Sequence, residues 1–206
     1  MLTQENIFFL ILAYLIGSLP SAVWLGKTFY NKDVREYGSG NAGATNTFRV
    51  LGKKAGIPVL LMDVFKGWFA VYLASFSVAD NVESQLAFGI AAVIGHLFPI
   101  YTGFGGGKGI ATLLGFMIGV EPIAAGICAL IFLISFLISK YVSLSSIFAS
   151  IAFPLVIVFS YGYNNVNSSL FLFSIFVPIL ALITHQKNIE RLIRGEENKA
   201  KFGKNK

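Results

Sequence analysis

The chain has few of the residues on which soluble enzymes build their sites: one cysteine, two histidines and ten acidic residues among 206. The lone Cys128 sits in an apolar run, so neither a disulfide nor a thiolate metal site is expected. No pair of carboxylates is expected on the membrane face that would carry metal-assisted phosphoryl chemistry, and no metal is expected. No G-x-S-x-G elbow is present, which argues against a serine acyl-enzyme. Repeats of 20 to 50 residues are absent. The N-terminal leader carries Glu5 but no Lys or Arg, so the first apolar run reads as a retained helix and not as a cleaved signal.

What remains is overwhelmingly apolar. Hydrophobic residues make up 55% of the chain and the mean hydropathy is +0.72, which leaves no room for a soluble domain. Residues 1–206 are expected to form one all-α transmembrane domain. Seven spans are expected: Ile7 to Leu25, Gly56 to Phe76, Leu86 to Thr102, Ile110 to Val120, Pro122 to Ser139, Leu144 to Tyr161 and Ser169 to His185. Most suit a hydrocarbon core of about 30 Å. The fourth is short, reaching only about 16 Å as a helix. Fifteen of the sixteen Lys and Arg residues fall in alternate gaps between these runs, and the intervening gaps, around Asp80, Glu121 and Asn165, hold none. The positive-inside rule then places the N-terminus outside and the C-terminus in the cytoplasm, and parity retains the short fourth helix as a crossing. The net charge of +6 fits this orientation and attraction to anionic lipid. No nucleic-acid partner is expected.

Two of the cation-bearing gaps are rich in glycine. The first contains Gly38-Ser39-Gly40-Asn41-Ala42-Gly43-Ala44-Thr45-Asn46-Thr47-Phe48-Arg49, with hydroxyl, amide and guanidinium donors and no carboxylate. Such a set suits a polyoxygen anion such as phosphate. It also matches G-x-G-x-x-G, but the charged stretch before it is no buried strand and Asp63 lies within a span, so a dinucleotide fold is rejected. The second, Gly103-Phe104-Gly105-Gly106-Gly107-Lys108-Gly109, opens the fourth span and adds a point charge to backbone amides at a helix entrance. It is not a Walker A loop, because Gly109 stands where Ser or Thr is required. The competing readings are a flexible connector for the first loop and close helix packing for the second.

Other polar groups cluster at the remaining inner boundaries: Ser143, Ser145 and Ser146, then His185 and Asn188. Asp63 and Lys66 share a helix face within the second span, and with His96 they read either as structural supports or as direct substrate contacts. The H-x-x-x-x-D signature of common acyltransferases is missing, since Tyr101 follows His96 and Glu190 follows His185 at that spacing. A site that binds anions but owns no strong nucleophile suits a substrate that arrives already activated, and an acyl phosphate fits that description. The rival reading is a small organic-anion transporter, which also needs basic and Gly-broken helices.

Six segments in order, GSGNAGATNTFR (38–49), DVFKG (63–67), GHLFP (95–99), GGKGIAT (106–112), YVSLSSI (141–147) and HQKNIERLIRGEE (185–197), resemble the bacterial acyl-phosphate:glycerol-3-phosphate acyltransferases of the PlsY type. The resemblance implies a seven-helix inner-membrane enzyme with its site on the cytoplasmic face. It would transfer a fatty acyl group from acyl phosphate to the 1-hydroxyl of glycerol 3-phosphate, without a cofactor. It also implies roles by motif position: Ser39, Gly40, Asn41, Gly43, Thr45, Asn46, Arg49, Gly106, Gly107 and Lys108 in phosphate binding, and Arg49, Lys108, Ser146, His185 and Asn188 in catalysis. A soluble enzyme that produces acyl phosphate is the implied partner. One position departs from the pattern: Gly105 stands where the family usually has a lysine.

Overall fold

The computed structural model describes residues 4–77, 81–162 and 164–200. Asp80, Lys201, Lys204 and Lys206, counted in the charge pattern above, lie outside them. The described residues form ten α-helices: α1 (Gln4–Gly17), α2 (Ser21–Tyr30), α3 (Ala44–Leu51), α4 (Lys53–Tyr72), α5 (Val82–Leu97), α6 (Ile110–Val120), α7 (Pro122–Ser139), α8 (Val142–Tyr161), α9 (Ser168–Thr184) and α10 (Gln186–Ile193). Helix starts follow local chemistry. The Asn81 side chain accepts from the Ser84 N–H at 2.9 Å, and the Asn167 side chain from Ser169 and Leu170, capping α5 and α9.

The number of crossings corrects the expectation. Four stretches, Lys53–Phe76, Val82–Thr102, Pro122–Ser139 and Val142–Tyr161, are long and apolar enough to cross a membrane. Two bent pairs, α1 with α2 at 41° and α9 with α10 at 64°, bring the total to six at most. The expected fourth span forms as α6, but its 11 residues cover about half of a hydrocarbon core, so seven crossings are not supported. The expected arrangement, N-terminus outside and C-terminus in the cytoplasm, requires an odd number of crossings and is withdrawn with the seventh. The first expected span is broken where Pro20, which has no N–H, follows Ser18 and Leu19.

Two compact units divide the chain, Met1–Ala125 and Gly126–Lys206. In the first, α4 is the central helix and packs on α6, α3 and α5, while α1 packs on α5. The α4 and α6 backbones meet directly. A Cβ on Gly67 would overlap the Thr112 carbonyl, and one on Gly115 would overlap the Val64 carbonyl, so each helix supplies the glycine that admits the other. In the second unit α8 packs against α9, with Phe153 and Phe173 edge to face at 5.9 Å. Outer faces are apolar: Phe159 is 93% exposed and Ile138 79%, as expected of side chains that meet lipid.

Candidate active site

The first glycine-rich loop is built around one buried amide. Asn46, on the first turn of α3, is 1% exposed. Its Oδ1 accepts from the Ser39 N–H at 2.9 Å, and its Nδ2 donates to the carbonyls of Val34 at 2.7 Å and Tyr37 at 3.1 Å. The carboxamide expected to bind phosphate is therefore spent on holding the loop closed. Gly38 turns with φ +64°, and a Cβ there would overlap Asn46 Oδ1, so the loop can wrap this amide only through a glycine. Gly40 likewise serves the turn, since its N–H donates to the Tyr37 carbonyl at 3.1 Å.

Above this anchor, Ser39, Thr45 and Arg49 are exposed, and Asn41 and Gly43 are half-buried. Arg49 Nη1 lies 3.5 Å from Asn46 Oδ1, so the guanidinium leans back over the loop it caps. These are the groups left facing outward, and they are hydroxyl, amide and guanidinium donors.

A second arginine, not singled out from sequence, joins the two loops. Arg35 meets Asp33 through Nε to Oδ1 at 3.0 Å and Nη2 to Oδ2 at 2.8 Å, and its Nη1 donates to the Thr102 carbonyl at 3.1 Å. Lys27 adds an ion pair to Asp33 at 3.1 Å. The Arg35 hydrogen bonds, above all, hold the Asp33 carboxyl well below the usual carboxylate range, and Asp33 in turn raises the Arg35 guanidinium. A side chain at Gly105 would begin 3.8 Å from Arg35 Nη1, so a cation already stands at the corner where a lysine was expected. The spacing Asp33-x-Arg35 was the only sequence signal for this bridge.

The loops also share a narrow cleft with room for about one water molecule. Ala42 of the first loop, Gly106 and Gly107 of the second, and Lys66, His96 and Ser21 line it. Lys108 is half-buried, and Gly109, with φ +80°, ends the loop at the start of α6.

In the second unit, Ser143, Ser146 and His185 are buried and Asn188 is half-buried. Ser146 Oγ donates to the Val142 carbonyl at 2.9 Å. His185 Nδ1 lies 2.8 Å from the Ala181 carbonyl. A carbonyl only accepts, so Nδ1 carries a proton, and in the neutral form of the ring the lone pair is on Nε2. Glu197, to which sequence reasoning gave no role, gathers this region: it accepts from Asn188 Nδ2 at 2.7 Å, Ser143 Oγ at 2.9 Å and Arg191 Nε at 2.7 Å. Burial, the largest single influence, would raise its carboxyl, but these three hydrogen bonds together outweigh it and lower it.

The chain that carries this cation-edged pair of loops has relatives among known proteins. The profile of the glycerol-3-phosphate acyltransferase family matches residues 7–195. The chain belongs to the glycerol-3-phosphate acyltransferase family. Relatives of that name include those of Fusobacterium nucleatum, 43% identical over 94% of this chain and 97% of its own length, and Chlorobaculum tepidum, 40% identical over 95% and 96%. Crystal structures of PlsY, an integral membrane glycerol 3-phosphate acyltransferase, superpose closely. Its glycerol 3-phosphate form has a TM-score of 0.87 at 38% identity, covering 95% of this chain and 96% of that one, and its lysophosphatidic acid form a TM-score of 0.82 at 36% identity, covering 96% of each. This glycerol-3-phosphate acyltransferase is thus a multi-pass membrane enzyme of the PlsY type.

Proposed function

We propose how this chain's residues divide the work of the PlsY reaction, transfer of an acyl group from acyl phosphate to glycerol 3-phosphate. Residues 1–206 act as a single acyltransferase domain. Arg49 and Lys108 neutralise the two substrate phosphates, with Ser39, Asn41 and Thr45 and the amides of Gly43 and Gly106 as hydrogen-bond donors. Gly40 and Gly107 shape the loops, because their own N–H groups are engaged within the protein. Asn46 holds the first loop in the form that presents the others.

Ser146, His185 and Asn188 orient glycerol 3-phosphate so that its 1-hydroxyl oxygen attacks the acyl carbon. The new C–O ester bond forms as the acyl-phosphate C–O bond breaks, and that electron pair leaves with inorganic phosphate. The hydroxyl proton goes to His185 Nε2, the ring nitrogen that keeps its lone pair while Nδ1–H is held by Ala181, or to an oxygen of the bound phosphate. The product is lysophosphatidic acid. No cofactor or metal enters the scheme, because the donor already carries its leaving group.

The enzyme is placed in the bacterial inner membrane with the phosphate-binding loops on the cytoplasmic face, since Lys27, Lys32, Arg35, Arg49, Lys53 and Lys54 crowd the first of them. A soluble enzyme that makes acyl phosphate is its supplier. The observation that carries the reading is the outward-facing donor set of Ser39, Thr45 and Arg49 over the Asn46 anchor, which contains no carboxylate. The test is turnover by the purified protein in detergent. Lysophosphatidate and phosphate formed from acyl phosphate and glycerol 3-phosphate without vesicles support it, with most turnover lost in Arg49→Ala and in Lys108→Ala. Near wild-type rates in both variants would overturn the assignment, and binding without product would favour transport.

A further inference from the structure

Beneath the second loop lies a group of buried polar residues for which the reaction scheme has no use. Asp63 and Lys66 on α4, Ser21 at the start of α2 and His96 in the last turn of α5 are all buried. Asp63 Oδ1 accepts from Ser21 Oγ at 3.1 Å and Lys66 Nζ at 2.9 Å, and stands 3.7 Å from His96 Nδ1. Lys66 Nζ also donates to the Leu19 carbonyl at 3.1 Å, at the break between α1 and α2. A buried ion pair is a poor source of stability compared with apolar packing. Its retention here calls for a reason in its surroundings.

His96 supplies one. The Gly107 N–H donates to the His96 carbonyl at 3.1 Å. A Cβ built on Gly107 would overlap Nε2 of the His96 ring, with Cε1 and Cδ2 at 3.0 and 3.1 Å. A Cβ on the neighbouring Gly106 would meet something different: the His96 carbonyl oxygen, with the Leu97 carbonyl oxygen 2.5 Å away. The loop therefore rests on an imidazole at residue 107 and on backbone at residue 106.

We propose that His96 is a positioning residue for the phosphate loop. Its ring, set from behind by Asp63, is the surface on which Gly107 lies, and it fixes where Lys108 and the Gly106 amide stand. The proposal rests on the reading that residues 103–109 carry a substrate phosphate. A displaced loop weakens the hold on the anion before it alters the reacting groups, so the effect falls on KM for a phosphate-bearing substrate more than on kcat.

The test is a set of variants of the full chain purified in detergent, with KM and kcat measured for both substrates and the melting temperature followed alongside. Gly106→Ala and Gly107→Ala are each expected to raise KM by about tenfold or more. Combining Gly107→Ala with His96→Asn, which withdraws the ring atoms while keeping a polar partner for Asp63, is expected to bring KM back to within about threefold of His96→Asn alone. Combining Gly106→Ala with His96→Asn is expected to rescue nothing, because the obstructing oxygen belongs to the backbone. His96→Ala serves the same cycle if the asparagine variant is not recovered folded. A Gly107→Ala defect that persists in both His96 backgrounds, equal rescue at both glycines, or an unchanged KM in Gly107→Ala overturns the role of His96. If instead Gly106→Ala and Lys108→Ala both leave KM at the wild-type value, the phosphate reading of the loop itself has failed.

Discussion

Asn46 and Arg49 lie three residues apart on one short helix and do opposite things. The asparagine is buried and its hydrogen bonds are internal, whereas the arginine is exposed above it. Asn46→Ala leaves two carbonyls and an N–H without their partner, and is expected to cost about 1–3 kcal/mol of stability. Calorimetry or a thermal melt in detergent reads that loss directly. Arg49→Ala should leave the melt almost unchanged and lower kcat/KM by about ten- to a hundredfold, the usual value of a charge-assisted hydrogen bond. Sequence alone placed both in the phosphate pocket because a carboxamide offers the same donors to a phosphate as to a backbone carbonyl. Only burial separates the two uses, and burial here depends on how Gly38 turns.

Among the helices, α4 carries most of the first unit. Lys66 and Asp63 are placed one turn apart on it, and the DVFKG spacing made their pairing legible. The partners that matter besides, Ser21 and the Leu19 carbonyl, come from the Pro20 break; a proline inside an apolar run signals a break, but not the 41° angle or the groups it brings to Asp63 and Lys66. Lys66→Ala leaves a buried carboxylate uncompensated and is expected to cost about 3–5 kcal/mol, while the paired change Asp63→Leu with Lys66→Met should cost markedly less. Chemical denaturation of both variants checks the difference, and equal losses would contradict the pairing. The contact of α4 with α6 is a matter of glycines at Gly67 and Gly115. Charge parity kept the α6 run as a crossing despite its shortness, but crossing requires length, and α6 stops after three turns where Glu121 begins the next segment.

For the molecule as a whole, acid is the informative perturbation, because among the described residues each unit holds a carboxylate whose folded value lies below its ordinary one. Glu197 is lowered from 4.5 and Asp33 from 3.8. A depressed carboxyl contributes stability that is complete above the ordinary value and is lost as pH falls through the folded value. Wild type should therefore out-melt Glu197→Gln at pH 7, with the gap closing below about pH 4.5. The same comparison for Asp33→Asn should close only in stronger acid, since ionised Asp33 is held by both Arg35 and Lys27. A Glu197→Gln gap that stays constant from pH 7 to pH 3 would show that Glu197 is not ionised in the fold.

Composition and local spacing were enough to establish a helical membrane protein and its resemblance to an acyltransferase family, and to single out its two glycine-rich loops, because hydrophobicity and short motifs are properties of contiguous residues. The bridge from Arg35 to Thr102, the Glu197 clamp, the seat of Gly107 on His96 and the reduction from seven crossings to at most six arise only on folding. Each depends on groups distant in the chain, or on where a helix bends and stops, and no periodicity records that.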